Sequence, residues 1–185
     1  MTKKYEMTSE TKIVEFGVKL TRIRALVDIP AIGVASGDLG GWIEKKSNLS
    51  RVSGNAWVYG NARVSGNARV SGDAWVYGDA QVSGNAQVYG NARVYGNARV
   101  YGDAQVSLPV IMATRSDGAT AVIVKDKDGT PIIIGGCHYF TLPQARAYWS
   151  KRAGSEQLRH ESIAIGEHLE RMAIIQGWLK PDGAK

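Results

Sequence analysis

Cys137 and His138 follow Gly135 and Gly136 in the stretch PIIIGGCHYF. A thiol beside an imidazole has the makings of a nucleophile and its base. Neighbouring residues on an extended strand face opposite ways, however, so the pair is not expected to act together. The expectation is that Cys137 is a buried structural thiol. It is the sole cysteine, which rules out an internal disulfide and fits a reducing compartment. The other histidines, His160 and His168, stand eight residues apart in a helical stretch. That is too far for one metal-binding pair, and both are expected in solvent. No metal-ligand cluster, phosphate loop or paired-carboxylate motif is visible, so no catalytic residue, metal or cofactor is assigned.

A second kind of chemistry, stacking and anion contact, is offered by Trp57, Tyr59, Trp75, Tyr77, Arg93, Tyr95, Arg63 and Arg99. These residues sit in a phrase, V-[SY]-G-[ND]-A-x, that runs without a gap from Val52 to Gln105. A period of six is wrong for a helix of 3.6 residues per turn and suits a short strand followed by a bend. Within x-V-[SY] the valine points one way and its neighbours the other. Valine and alanine are therefore expected inside, and the variable positions outside. Each glycine, followed by Asn or Asp, tolerates the positive φ that a corner needs.

The phrase resembles the hexapeptide-repeat, left-handed parallel β-helix family, in which three hexapeptides make a triangular coil. That resemblance implies three coils over residues 52–105, with residues 18 apart stacked at about 4.8 Å. The corner columns then become Asn55/Asp73/Asn91, Asn61/Asp79/Asn97 and Asn67/Asn85/Asp103. Each holds a single Asp, which suits Asn ladders and avoids adjacent carboxylates. One outward face gathers Trp57/Tyr59, Trp75/Tyr77 and Arg93/Tyr95. The second carries Arg63/Ser65, Gln81/Ser83 and Arg99/Tyr101. The third carries Arg69/Ser71, Gln87/Tyr89 and Gln105/Ser107, with Arg51/Ser53 just below.

The flanks give the rest of a mainly β organisation. Residues 1–33 read as an N-terminal cap, with TKIVEFGVKLTRIRALVDI alternating around Gly17 as a β-hairpin. Residues 34–107 form the β-helix, and Val34 to Arg51 supply an irregular first coil. Residues 108–185 read as a C-terminal segment that caps or oligomerises. It has three strands with turns at Asp117-Gly118 and Asp128-Gly129, which are expected to close the open end of the coils. A short helix follows Thr141, with Pro143 in its first turn, and a longer one starts at Ser155. On the longer helix Leu158, Ile165, Leu169, Met172 and Leu179 form an apolar stripe. Gly166 and Gly177 are expected to weaken it slightly.

The formal charge of +6 is spread over all three parts, about +3, +1 and +2, and no polybasic arm exists. Nucleic acid is thus weakly supported as a partner. No signal-peptide core or membrane-length apolar run is present, and the expectation is a cytoplasmic protein. The motifs LTRIRAL, GDLGGWIEKKSNLS, the repeats and the following GC plus helical segment resemble small hexapeptide-repeat proteins of phages and prophages. That resemblance implies a host-interaction or anti-defence setting without assigning an activity.

Acyltransferases built on such repeats use a His base beside the coils. Residues 52–105 hold no His, Lys, Glu or Cys, so fold analogy does not carry catalysis over. The reading is a non-catalytic binding protein that blocks a host protein or sequesters a nucleotide. The alternatives are an acyltransferase and a structural spacer. The aromatic face is expected to be either that binding site or a covered surface, under the C-terminal helix or in a dimer or trimer.

Overall fold

A computed structural model describes residues 3–52, 54–151 and 155–180. Two compact units divide the chain, Met1–Pro109 and Val110–Lys185. The first opens with β1 (Tyr5–Ile13) and β2 (Lys19–Ala25), an antiparallel hairpin. At its turn Phe16 and Gly17 both adopt left-handed backbone, with φ of 61° and 74°. That conformation suits Gly17 and is unfavourable for a bulky aromatic residue such as Phe16. β2 pairs antiparallel with β3 (Leu39–Ile43).

Nine two-residue strands follow: β4 (Trp57–Val58), β5 (Arg63–Val64), β6 (Arg69–Val70), β7 (Trp75–Val76), β8 (Gln81–Val82), β9 (Gln87–Val88), β10 (Arg93–Val94), β11 (Arg99–Val100) and β12 (Gln105–Val106). Each pairs in parallel with the strand one coil away, giving the series β4-β7-β10, β5-β8-β11 and β6-β9-β12. The result is a parallel β-solenoid of three sides. Every valine from Val58 to Val106 and every alanine from Ala56 to Ala104 is buried, which fills the coil with side chains small enough to meet at its axis.

At the corners the expected ladders form. Asn55 Nδ2 donates to Asp73 Oδ1 at 2.8 Å, and Asn61 donates to Asp79 at 3.2 Å. Asn67 donates to Asn85, which donates to Asp103. The corner glycines are needed twice over. Gly84 has φ +66°, and a Cβ there would lie 2.9 Å from the backbone N of Gly102 on the next coil.

One phrase departs from the pattern. The 18-residue period would place Val52 beside Val70, but Leu49 makes the parallel bridge to Val70, and Trp42–Ile43 pair with Arg63–Val64. The lead-in therefore stacks at an offset of 21. Val52 is 55% exposed, while Leu49 is fully buried. Leu49 buries more apolar surface than Val52 could, and buried Asn48 locks the slip by donating to the carbonyls of Gly66 and Ala68. Ser53, placed below the third face, lies outside the described residues.

Tyr5 plugs the start of the solenoid. It is fully buried, and its hydroxyl donates to the Lys46 and Leu49 carbonyls at 2.9 and 3.1 Å. The ammonium of Lys4 beside it donates to the carbonyls of Gly54 and Ala56. Burial pulls the Lys4 pKa down to about 8 despite the nearby Asp73 carboxylate, and burial pushes Tyr5 up to about 12 against the pull of Arg51.

The second unit has the antiparallel order β13 (Ile111–Thr114), β14 (Thr120–Lys125), β15 (Pro131–Gly135) and β16 (His138–Thr141). Three strands are expected from the sequence, and β16 is the fourth. Helices α1 (Leu142–Lys151) and α2 (Glu156–Ile175) pack on this sheet around Ile123, Ile133, Trp149 and Leu169. Gln144 accepts from the Thr141 N–H, and Ser155 caps α2 by accepting from the Leu158 N–H.

The fully buried residues of α2 are Ser162, Gly166, Leu169 and Ala173; of the stripe expected from periodicity, Leu169 lies in the core and Ile165 and Leu179 pack against it while partly buried. Trp149 lies against the small residues of this face. A Cβ on Gly166 would lie 2.8 Å from Cζ3 of Trp149, so Gly166 is a close-approach residue and not a weak point. Leu179 lies beyond the helix. No helix among the described residues is long and apolar enough to cross a membrane.

Candidate functional site

Strand alternation sends Val58, Val76 and Val94 into the coil and turns Trp57, Trp75 and Arg93 outward in one register column. Tyr59, Tyr77 and Tyr95 follow as a second column one step past each valine. The Tyr77 and Tyr95 rings stack with centroids 5.7 Å apart and planes within 18°. Arg93 lays its guanidinium over the Trp75 ring at 4.5 Å, a cation–π contact. A groove of about 330 Å³ is lined by Ile32, Val34, Trp57, Tyr59, Trp75 and Tyr77. Its size and apolar lining lie at the small end of ligand-binding clefts.

The members of this face are not equivalent. Trp57 is 2% exposed, because Tyr5 meets its ring edge-on at 6.4 Å, and it forms the packed floor of the groove. The expectation of an outward, freely stacking Trp57 is thereby corrected. The physical reason is that the N-terminal plug needs an apolar partner on the first coil. Tyr59 is 54% exposed, and Trp75, Tyr77 and Tyr95 are partly buried. Trp57 is covered by Tyr5 of the N-terminal segment, whereas Trp75 lies under Arg93 and Tyr77 lies against Tyr95.

The three arginines do not converge. Arg93 stands on the aromatic face, while Arg63 and Arg99 stand on the second, either side of Gln81 in one column. At the foot of that column is Trp42, which pairs with Arg63. Lys12 Nζ sits 3.9 Å from the Trp42 ring centre and Arg22 sits 5.5 Å away. Burial, then Arg63 and Arg22, push the Lys12 pKa below its ordinary value. Trp42 lies 21 residues before Arg63, so an 18-residue alignment hides it.

The second unit holds a further recess, of about 240 Å³, lined among others by Arg115, Thr120, Cys137, His138, Tyr148, Trp149 and Ser162. Here the expectation about Cys137 fails. Gly136 and Cys137 form the turn between β15 and β16, with Gly136 at φ +61°, so Cys137 is not on extended strand. It is exposed, and its Sγ lies 3.6 Å from Nδ1 of His138. His160 and His168 are exposed on α2, as expected. No group of His, Cys, Asp or Glu among the described residues is placed to hold a metal ion.

These features define a repeat β-solenoid protein with an aromatic groove on one side of its coils. In sequence, the YdcK beta solenoid repeat model matches residues 50–65, 62–78, 86–97 and 92–107, all within or at the edge of the coiled segment. The chain is thus similar to that family through its repeats. A comparison with curated proteins finds no match.

Proposed function

We infer that the solenoid acts by binding, and that its aromatic groove receives a nucleotide. The observation that carries this is the groove itself. Trp75 and Tyr77 line the groove beside an apolar floor, and Arg93, held over the Trp75 ring next to the groove, is the cation suited to a phosphate on such a ligand. A base stacked on an aromatic side chain gains roughly 1–3 kcal/mol. The coil surface from Val52 to Gln105 has no His, Lys, Glu or Cys, and its three Asp residues stand at the corners, with Asp73 and Asp79 taken up in the Asn ladders. The flanking motifs that resemble phage proteins make sequestration of a host nucleotide, in an anti-defence setting, the role in which such a groove would serve.

The test is calorimetric titration of the full chain with a panel of mono-, di- and cyclic nucleotides. Saturable binding is expected for at least one, weakened about 5- to 150-fold by Trp75→Ala, as the loss of one stacking contact implies. Arg93→Gln should weaken the phosphate-bearing ligand and spare the nucleoside. Trp57→Ala is a poor probe, because that residue holds the plug. Absence of binding across the panel, with capture of a host protein lost in the same Trp75 variant, would replace this reading by a protein-blocking one.

A further inference from the structure

We propose that the first unit carries an anion site at the start of the solenoid, built from Lys3, Lys46 and Arg51, which takes the charged end of a small phosphorylated molecule. The site has no lining residue in common with the aromatic groove and does not depend on what that groove binds. Its three cations line a recess of about 320 Å³ over Tyr5, with Met7 and Leu26 beside them. Among the described residues none of the three has a carboxylate partner. Glu6 also lines the recess, but its carboxylate is paired with Arg24 at 3.7 Å. Like charges gathered around one cavity repel, and an anion seated among them removes that repulsion.

Arg51 points to a ligand independently. Its Nε is shut off from solvent and has no hydrogen-bond partner, and its guanidinium lies 5.9 Å from the centre of the Tyr5 ring. The ring face attracts the cation but leaves its charge unpaired. A half-buried guanidinium without an acceptor is costly, and the chain itself supplies none. Because Arg51 lines the recess, an acceptor seated there can reach its other N–H groups.

The cations are placed before any ligand arrives. The Arg51 carbonyl accepts from the Lys4 N–H at 2.8 Å, and the Lys46 carbonyl accepts from the Tyr5 hydroxyl at 2.9 Å. Both segments are thereby tied to the start of β1, which lowers the ordering cost of binding. A phosphoryl group brings about −1.5 to −2 charges near pH 7 and three acceptor oxygens, whereas a carboxylate brings one charge and two oxygens. Three cations, one of them a planar guanidinium, favour the phosphoryl group. Met7 and Leu26 offer apolar surface to the organic part that carries it.

The experiment is calorimetric titration of the full chain with inorganic pyrophosphate at fixed ionic strength, repeated with succinate. Saturable binding of pyrophosphate is expected, with succinate at least about 10-fold weaker. Arg51→Gln should weaken pyrophosphate about 10- to 100-fold, as the loss of a charge-assisted hydrogen bond implies. Lys46→Gln removes an exposed charge while keeping the carbonyl that holds Tyr5, and should weaken it about 3-fold. This second variant keeps the test valid if Arg51→Gln does not fold. Arg69→Gln, at an exposed arginine outside the recess, should change nothing. Absence of saturation, succinate binding as tightly as pyrophosphate, an unchanged affinity in Lys46→Gln, or equal weakening by Arg69→Gln would each overturn the proposal. Trp75→Ala and Arg93→Gln should leave pyrophosphate binding intact, and Lys46→Gln should leave nucleoside binding intact, so each reading can fail alone.

Discussion

At the scale of single residues, position in the coil outweighs residue type. Val52 and Val70 belong to the same phrase, yet one is in solvent and the other in the core, because Leu49 occupies the place that periodicity gives to Val52. Leu49→Ala should therefore cost about 2–5 kcal/mol, the range for truncating a buried leucine. Val52→Ala should stay within about 0.5 kcal/mol, as exposed substitutions do. Urea unfolding of both variants checks this, and a larger loss for Val52→Ala would mean that the regular 18-residue stack holds after all. The same lesson applies to Cys137, whose exposure comes from a turn and not from its chemistry.

At the scale of elements, the N-terminal segment closes one end of the solenoid with two titratable side chains. Lys4 has its pKa lowered to about 8 from its ordinary 10.5, so the folded chain releases this proton before the unfolded one does. The cost of burying the charge is present below about pH 8, and stability rises as pH climbs toward 10.5. Tyr5 is raised to about 12 from its ordinary 10.0. Its contribution is full below pH 10 and is lost as pH rises through 12. The two effects together predict a stability maximum near pH 10. Urea midpoints across that range should show it, with Lys4→Met flattening the rising limb and Tyr5→Phe the falling one. A midpoint that falls steadily from neutral pH would show that the Lys4 ammonium is not desolvated in this plug.

At the scale of the whole molecule, charge is distributed and not focused. The excess of +6 is divided among all parts of the chain, and the cluster of Lys12, Arg22 and Arg63 is offset by Glu10, which pairs with Arg22, and by Asp79. Binding to polyanions should be weak and strongly dependent on salt. Elution from heparin below about 0.15 M salt, where the screening length is about 8 Å, is the expected outcome. Retention well above that would point to a basic surface that acts as a unit.

The solenoid itself was legible in the sequence because its signal is local and repeated. A six-residue period, an inward valine and alanine, a glycine able to take positive φ and an Asn ladder all restate one geometry in each phrase. The hairpin at Gly17, the short helix after Thr141 and the cap at Ser155 were legible for the same reason, since each is written within a few neighbouring residues. What only the tertiary structure decided depends on contacts between distant segments. Tyr5 covers Trp57 across 52 positions, Trp149 lies against the small residues of α2, and the offset of 21 brings Trp42 under Arg63. Periodicity says which side of a strand faces out, but the free energy of burial decides what then covers it, and that is settled by shape and area across the fold.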